Sequence, residues 1–477
     1  MSMVCCGAKL SAHSAQAAGP SLLFLCLGTD PLMRRIVIVA FHVYPDLAVG
    51  AKRVSELANH LSRRGWDIVL VTHKPRDADP SRQLHSAITR VLIDQPRPIA
   101  LRLLDPVRRV MARGVKAVPT TLDAAGGATT AADSNRFARA LSRVEGYYHR
   151  VIGVLDPMKK WSVMVTARLM RGAHLRNAQV IMVSGPPWSP VLAASIVGLL
   201  RHRRVLIDFR DPWLFERGDD SPRCLGFQRW VDRACERFCL RHAQTVTVST
   251  ESFFNTLSRR HPQQAHKMHT IRNGYDDNMM IASAAPVGRL AILYAGTIYI
   301  GRNPLPLLHA IAQLVVQPDI DRQLVRLQLV GYCNEWNGRP LIDIARELSI
   351  DDVIEIQPVV PSSRVRELTE QANVIVNFAQ GHPEQAPAKL YEQLVSNRYG
   401  LLFTEADSES ARIAGEVNAI FRLDDSPAQV LNTLRHLYDE LVVHRRAPAV
   451  TAADAGLSRA CSNESFEKLL GEMYAGG

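Results

Sequence analysis

The chain has 477 residues, 47% of them hydrophobic and 22% charged, a balance that excludes a disordered chain and leaves room for two or three domains. Its eight cysteines are scattered without C-x-x-C spacing, which argues against a disulfide framework and for reduced thiols in a cytoplasm. No stretch is long and apolar enough to span a membrane; Ser21–Leu27 is too short and lacks a basic region before it, so it reads neither as a span nor as a signal peptide.

Residues 1–32 read as a disordered tail or an upstream extension of the reading frame, and the body begins at Met33-Arg34-Arg35. Ile36–Phe41 is a continuous apolar run, the signature of a buried parallel strand. A loop through Tyr44-Pro45-Asp46 ends at Gly50, a helix follows with Val54, Leu57, Ala58 and Leu61 on one face, and Gly65 stops it. Asp67–Thr72 returns as a second strand. Residues 75 to about 175 read as an irregular insertion. Arg97 to Arg176 carries 15 Lys/Arg against 5 Asp/Glu, an excess of 10 within a formal net charge of +11. Its basic residues are interleaved with Leu, Val, Met and Trp, a mixture that suits an anionic membrane surface and equally a solvated helical insertion. No nucleic-acid module accompanies the charge.

Regular alternation resumes at Val180–Ser184, Val205–Phe209 and Thr245–Ser249, with helices after Pro190 and near 224–242. A second βα array supplies strands at Ala291–Tyr294, Leu327–Val330, Val353–Ile356, Val374–Phe378, Leu401–Thr404 and Ala419–Leu423. The expected organisation is therefore α/β: a doubly wound domain at 33–282, another at 288–445, and a tail with a helix at 446–477. In such sheets ligands bind beyond the carboxyl ends of the strands.

Neither opening strand is followed by G-x-G-x-x-G, and there is no Walker A loop, which disfavours a nicotinamide, flavin or P-loop protein. Asp77/Asp79 and Asp319/Asp321 form D-x-D pairs but read as chance loop composition. Cys235 and Cys239 stand at i, i+4 without further ligands at finger-like spacing, so no metal site is expected. The informative segment is Glu384-Gln385-Ala386-Pro387-Ala388-Lys389-Leu390-Tyr391-Glu392, where Pro387 suits a helix start. A helix N-terminus there presents N–H groups to a diphosphate. Lys389 adds a cation, Glu392 is placed to accept ribose hydroxyls, and Glu384 stands in the preceding loop.

This segment resembles the "PGKLxE" motif of family 4 glycosyltransferases from bacterial surface-polysaccharide synthesis. So do Tyr44-Pro45-Asp46 through Gly50-Ala51-Lys52-Arg53-Val54, Ser184-Gly185-Pro186-Pro187-Trp188-Ser189, Asp208-Phe209-Arg210-Asp211-Pro212-Trp213, Ile271–Asp276 and Tyr294-Ala295-Gly296-Thr297 through Arg302. The resemblance spans roughly Arg34 to Leu441 and is poorest over 95–155. It implies the GT-B fold, two Rossmann-like domains facing across a cleft. It implies transfer of a sugar from a nucleotide-sugar donor to a glycan or lipid-linked acceptor, with retention and without an essential metal. No cofactor is called for, because the nucleotide sugar is a substrate. Activity is then expected to survive excess EDTA.

On the donor side the resemblance implies Gly50, Gly296, Thr297, Arg302, Glu384, Lys389, Leu390 and Glu392. On the acceptor side it implies Gly185, Trp188, Arg210, Asp211 and Trp213. The catalytic expectations are Arg302 and Lys389 on the leaving diphosphate, Glu384 at the sugar and Asp211 at the acceptor. The chain departs from the pattern at Thr297, where many members carry Arg, at Ala388, where glycine is usual, and at Arg210, where His-Asp becomes Arg-Asp. The last change removes an expected histidine from the sugar site. For Gly50 the other reading is a loop glycine with positive φ. A nucleotide-sugar epimerase of the same architecture and a non-catalytic binding or scaffold subunit are the alternatives. The resemblance places the protein in the cytoplasm, peripheral at the inner membrane face.

Overall fold

Two all-parallel sheets organise the chain. The computed structural model describes residues 34–476 apart from 47, 49, 76–78, 80, 95–155, 215–225, 277–279, 282, 300 and 450–454. The expected tail at 1–32 and most of the basic segment fall outside the described residues. Arg34–Gly477 forms one compact unit.

The first sheet runs β3-β2-β1-β4-β5-β6-β7. Its strands are β1 (Arg35–Val39), β2 (Asp67–His73), β3 (Thr89–Ile93), β4 (Ala178–Gly185), β5 (Arg204–Phe209), β6 (Thr245–Val248) and β7 (Met268–Thr270). Continuous apolar runs put alternate side chains on two buried faces. Ile36, Ile38, Ile68, Leu70, Val180 and Met182 pack under helix α1 (Ala51–Arg63). Val37, Val39, Val69, Val71, Ile181 and Val183 face the other way. That second face is covered by α2 (Lys159–Met170), α3 (Ser189–Leu200), α4 (Gly226–His242) and α5 (Glu251–Arg260). Burial on both faces is why these strands are apolar without alternation.

The second sheet runs β12-β9-β8-β13-β14-β15. It contains β8 (Leu290–Thr297), β9 (Val325–Tyr332), β12 (Ile354–Gln357), β13 (Val374–Phe378), β14 (Tyr399–Phe403) and β15 (Ile420–Leu423). A small hairpin, β10 (Glu335–Trp336) with β11 (Arg339–Pro340), lies outside it. The helices are α6 (Leu305–Val315), α7 (Leu341–Glu347), α8 (Ser362–Gln371), α9 (Ala388–Leu394), α10 (Glu409–Ala414) and α11 (Pro427–Tyr438). The last helix, α12 (Arg459–Ala475), returns to the first sheet. Phe466, Leu470 and Met473 join the core under α1, and Glu467 meets His60 at 2.9 Å.

The stretch expected to be irregular, 75–175, contains β3 and α2. β3 is an edge strand that buries only Val91 and Ile93, so it offers no continuous apolar run to read. Trp161 of α2 is fully buried and donates its Nε1–H to the Ile93 carbonyl at 3.0 Å. The three-residue edge strand β7 was likewise not expected.

A buried ion pair joins the first helix to the centre of the first sheet. Arg53 of α1 is 6% exposed and Asp208 at the end of β5 is 0%. The guanidinium contacts both carboxylate oxygens at 3.0 and 3.1 Å. Ser184 and Thr247 donate their hydroxyls to the same carboxylate, each at 2.9 Å. Arg53 also donates to the carbonyls of Ile271 and Arg272 and to Asn273 Oδ1. Removing one partner of such a pair strands a buried charge, which costs roughly 3–5 kcal/mol. Asp208→Ala is expected to lose that much stability in a urea titration; a loss below about 1 kcal/mol would show that Arg53 finds another counter-charge.

Candidate functional site

A cleft of about 2740 Å³ opens between the carboxyl ends of the two sheets. Its walls are the loops after β1, β2, β4 and β5 on one side and after β8, β9 and β13 on the other. Both walls lie where the strand order reverses in a doubly wound sheet, between β1 and β4 and between β8 and β13.

On the second-sheet wall two cations converge on one aromatic ring. Arg302 donates from Nη1 to the Tyr294 hydroxyl at 3.3 Å and to the Thr297 carbonyl at 3.0 Å. Its guanidinium lies 4.3 Å from the Tyr299 ring centroid, which fixes its plane. Its buried Nε finds no partner among the described residues. Lys389, in the first turn of α9, places Nζ 5.9 Å from the Tyr294 ring centroid. The ammonium opens into the cleft, yet the protein packed around that floor pushes its pKa down to about 8, Arg302 adding to the effect and Glu392 opposing it.

Gly296 is required here, since a Cβ on it would come within 2.5 Å of the Tyr294 hydroxyl and 3.1 Å of Lys389 Nζ. Beside it Gly331 sits at φ +118°, where a Cβ would strike the Gly296 carbonyl at 2.1 Å. Thr297 is exposed and lines the cleft. Glu392 also lines it, with Lys52 Nζ 3.4 Å away. Lys52 in turn pairs with Asp276, which pairs with Arg459. Leu390 is fully buried in the core beneath α9 and supports rather than lines the wall. Glu384 is not part of the wall, although its carbonyl accepts a hydrogen bond from Thr250 at 2.6 Å. α9 has only seven residues, so the two cations, more than a helix dipole, make this wall positive.

On the first-sheet wall Arg210 is a brace. Its backbone N–H and its Nε both donate to the Gly185 carbonyl, Nη1 donates to the Gly50 carbonyl at 2.6 Å, and Nη2 donates to the Pro186 carbonyl. A Cβ on Gly50 would lie 1.9 Å from Arg210 Nη1, so the glycine makes room for the guanidinium. Its φ is −67°, which corrects the positive-φ reading. Gly185 is constrained by Trp188, whose ring would lie 2.6 Å from an added Cβ. Trp188 lines the cleft and stacks on Trp213 at 5.1 Å; Trp213 is buried behind it.

Asp211 receives the side-chain amide of Gln385 at 2.8 Å, a hydrogen bond that crosses the cleft. Burial raises its pKa, while Arg210 and His382 act against the rise. His382 supplies a histidine in the cleft after all, from the loop after β13 rather than from position 210. Burial chiefly, and then Arg302, lowers its pKa. His382 did not stand out in the sequence, and Gln385, although inside the segment singled out there, carried no sign of this contact, because each lies far along the chain from Asp211.

The other ionisable candidates are held by local partners. Asp319 pairs with Arg435 and Asp321 caps a turn at Gln323. Asp79 lines the cleft and binds Ser81, while Asp77 lies outside the described residues. Burial pushes the Cys239 thiol up to about 12 and also raises Cys235, which keeps both protonated.

Residues 50–274 match the model of the glycosyl transferase 4-like domain. No curated protein matches the chain in sequence. Its backbone is similar to that of sucrose-phosphate synthase from Thermosynechococcus elongatus, with a TM-score of 0.60, 13% identity, and coverage of 93% of this chain and 100% of that one. It is also similar to HepE of Anabaena in complex with UDP and glucose, with a TM-score of 0.56, 11% identity, and coverage of 92% and 100%. The catalytic domain of starch synthase IV from Arabidopsis thaliana, bound to ADP and acarbose, gives a TM-score of 0.56 at 9% identity over 93% and 99% of the two chains.

Proposed function

We propose that this chain, whose residues 50–274 match the glycosyl transferase 4-like domain and whose backbone is similar to GT-B enzymes, is a glycosyltransferase that moves a sugar from a nucleoside-diphosphate sugar to a glycan or lipid-linked acceptor. The observation that carries the reading is the convergence of Arg302 and Lys389 on Tyr294 beside Gly296. Similar proteins solved with UDP or ADP bound support a nucleoside diphosphate as the anion.

In the reaction the bond from the sugar's anomeric carbon to the diphosphate breaks, and a bond to the acceptor oxygen forms on the same face. The departing phosphate oxygen takes the acceptor proton. Negative charge grows on the diphosphate as the bond breaks, so two positioned cations bind the transition state more tightly than the ground state. They do this without a metal ion on the diphosphate. Glu392 is placed for the ribose hydroxyls. Asp211, held by Gln385, orients the acceptor hydroxyl or the sugar, with His382 beside it. The donor lies on the 288–445 side and the acceptor on the 33–282 side.

The acceptor side also supports work at an anionic membrane. No described helix is long and apolar enough to cross a membrane. On α4, however, Phe227 and Trp230 are 66% and 65% exposed and stacked at 6.1 Å, among the exposed Arg229, Arg233 and Arg237.

Three outcomes test the reading. Arg302→Ala and Lys389→Ala are each expected to lower turnover of a nucleotide sugar by roughly 10²-fold; near-normal rates at saturating donor would place the phosphate site elsewhere. Lys389 is charged below about pH 8, and an anion bound beside it favours the charged form and so raises its pKa. Nucleotide affinity, measured by calorimetry in excess EDTA, is therefore full below about 8 and falls by up to about tenfold per pH unit above it. A Lys389→Met variant that kept this decline would assign it to another group. Finally, the protein is expected to sediment with anionic vesicles at low salt and to be released at high salt. Lys159→Glu with Lys160→Glu and Trp230→Ser should weaken sedimentation, and wild-type protein left in the supernatant would end the membrane reading.

A further inference from the structure

We propose that His42, Asp46 and His73 form a zinc-type metal site in the first-sheet wall of the cleft. His42 and Asp46 stand on the loop leaving β1, and His73 is the last residue of the neighbouring β2. Their ligand atoms lie within 4.8 Å of one another, and among the described residues this is the one such group of three. His42 Nδ1 is 2.6 Å from Asp46 Oδ2, and His73 Nε2 is 3.6 Å from the same oxygen.

The orientation of His73 is the second observation. Its Nδ1 lies 2.5 Å from the Phe41 carbonyl. A carbonyl only accepts, so Nδ1 donates to it, and Nε2, the ring's other ligating nitrogen, faces the Asp46 carboxylate at 3.6 Å. A backbone carbonyl that fixes the tautomer of a histidine is also the usual outer support of a metal ligand.

The group is held in place before any ion arrives. Phe41 stacks on His73 with centroids 4.2 Å apart and planes 1° apart, and meets His42 edge-on at 4.8 Å. Asp46 Oδ1 receives the Ala48 N–H at 2.9 Å, which leaves Oδ2 for the ion. Ligand atoms at about 2.0–2.1 Å from a tetrahedral zinc are roughly 3.4 Å apart, close to the His73–Asp46 separation. The shorter His42–Asp46 contact is a hydrogen bond. The ion displaces that proton from Nδ1, the proton passes through solvent to Nε2, and the ring moves back by less than about 1 Å.

Two imidazoles and one carboxylate suit zinc, and three protein ligands leave a coordination position open. All three residues line the cleft, so the open position takes water or an oxygen of the acceptor. That use rests on the transferase reading; the ion itself does not. The site is separate from the cations assigned to the donor.

The test is zinc binding by the full-length chain with no nucleotide or sugar present, so a failed transfer assay leaves its result standing. Chelator-treated protein is titrated with zinc chloride by calorimetry, and metal content is measured after gel filtration. The expected result is one zinc per chain. His42→Ala and Asp46→Asn should each weaken it by roughly 100-fold or more, since loss of an outer-shell partner alone costs about 10–100-fold. Cobalt should give a visible band of tetrahedral intensity in wild type and not in His42→Ala, while Cys235→Ser should leave zinc binding unchanged. Melting of the variants at the wild-type temperature in zinc-free buffer shows that they remain folded. Protein that retains no zinc would assign the gap to a protonated His73 paired with Asp46. Zinc bound equally by wild type and both variants would place the metal elsewhere. Either result overturns the proposal.

Discussion

A single guanidinium, that of Arg53, ties together four parts of the chain that lie far apart in sequence. It leaves the first helix, meets Asp208 at the end of β5, and donates to the carbonyls of Ile271 and Arg272 where the chain leaves the first sheet. Phe466 of the returning last helix lies 5.0 Å from the same group. A buried pair of this kind adds little net stability over a hydrophobic replacement, but each half is costly without the other. Its consequence is geometric: α1 and the Asp208–Asp211 loop cannot shift independently. Gly50 and Arg210, one residue before α1 and two residues after Asp208, therefore meet in register.

From that brace the cleft acquires its asymmetry. The second-sheet wall presents Arg302 and Lys389. The first-sheet wall presents Asp211, Asp46, His42 and His73 together with the basic Lys52, Lys74 and Arg82, with Arg210 consumed by three carbonyls. The walls are joined where opposite charges meet. Lys52 from α1 lies between Glu392 and Asp276, and Gln385 reaches Asp211.

The legible part of the site was local. Lys389 and Glu392 share one short helix behind a strand, so strand–loop–helix patterning was enough to single them out, whereas Arg302 was named by the family resemblance. The resemblance placed Glu384 at the sugar, but a loop residue's direction depends on neighbours such as Thr250, 134 positions away in sequence. His382 escaped for the same reason. The His42–Asp46–His73 group escaped because its third member enters through strand pairing between β1 and β2.

The order of βα units and the two parallel sheets were determined by the sequence itself, because a strand buried on both faces must be written as an apolar run, and a helix between strands as a 3.6-residue stripe. Edge strands such as β3 and β7 needed the tertiary structure, since half their surface is open and the pattern weakens. So did the docking of the expected tail helix α12, whose partners Ile36, Val180 and Met182 lie hundreds of residues before it. Above all, only the folded chain decided which charges share the cleft. Arg210 became a brace rather than a ligand-facing group, and His382 came to occupy the cleft beside Asp211. Contacts between residues distant in sequence follow from how α1, β5, β8 and β13 pack, and no local pattern encodes that packing.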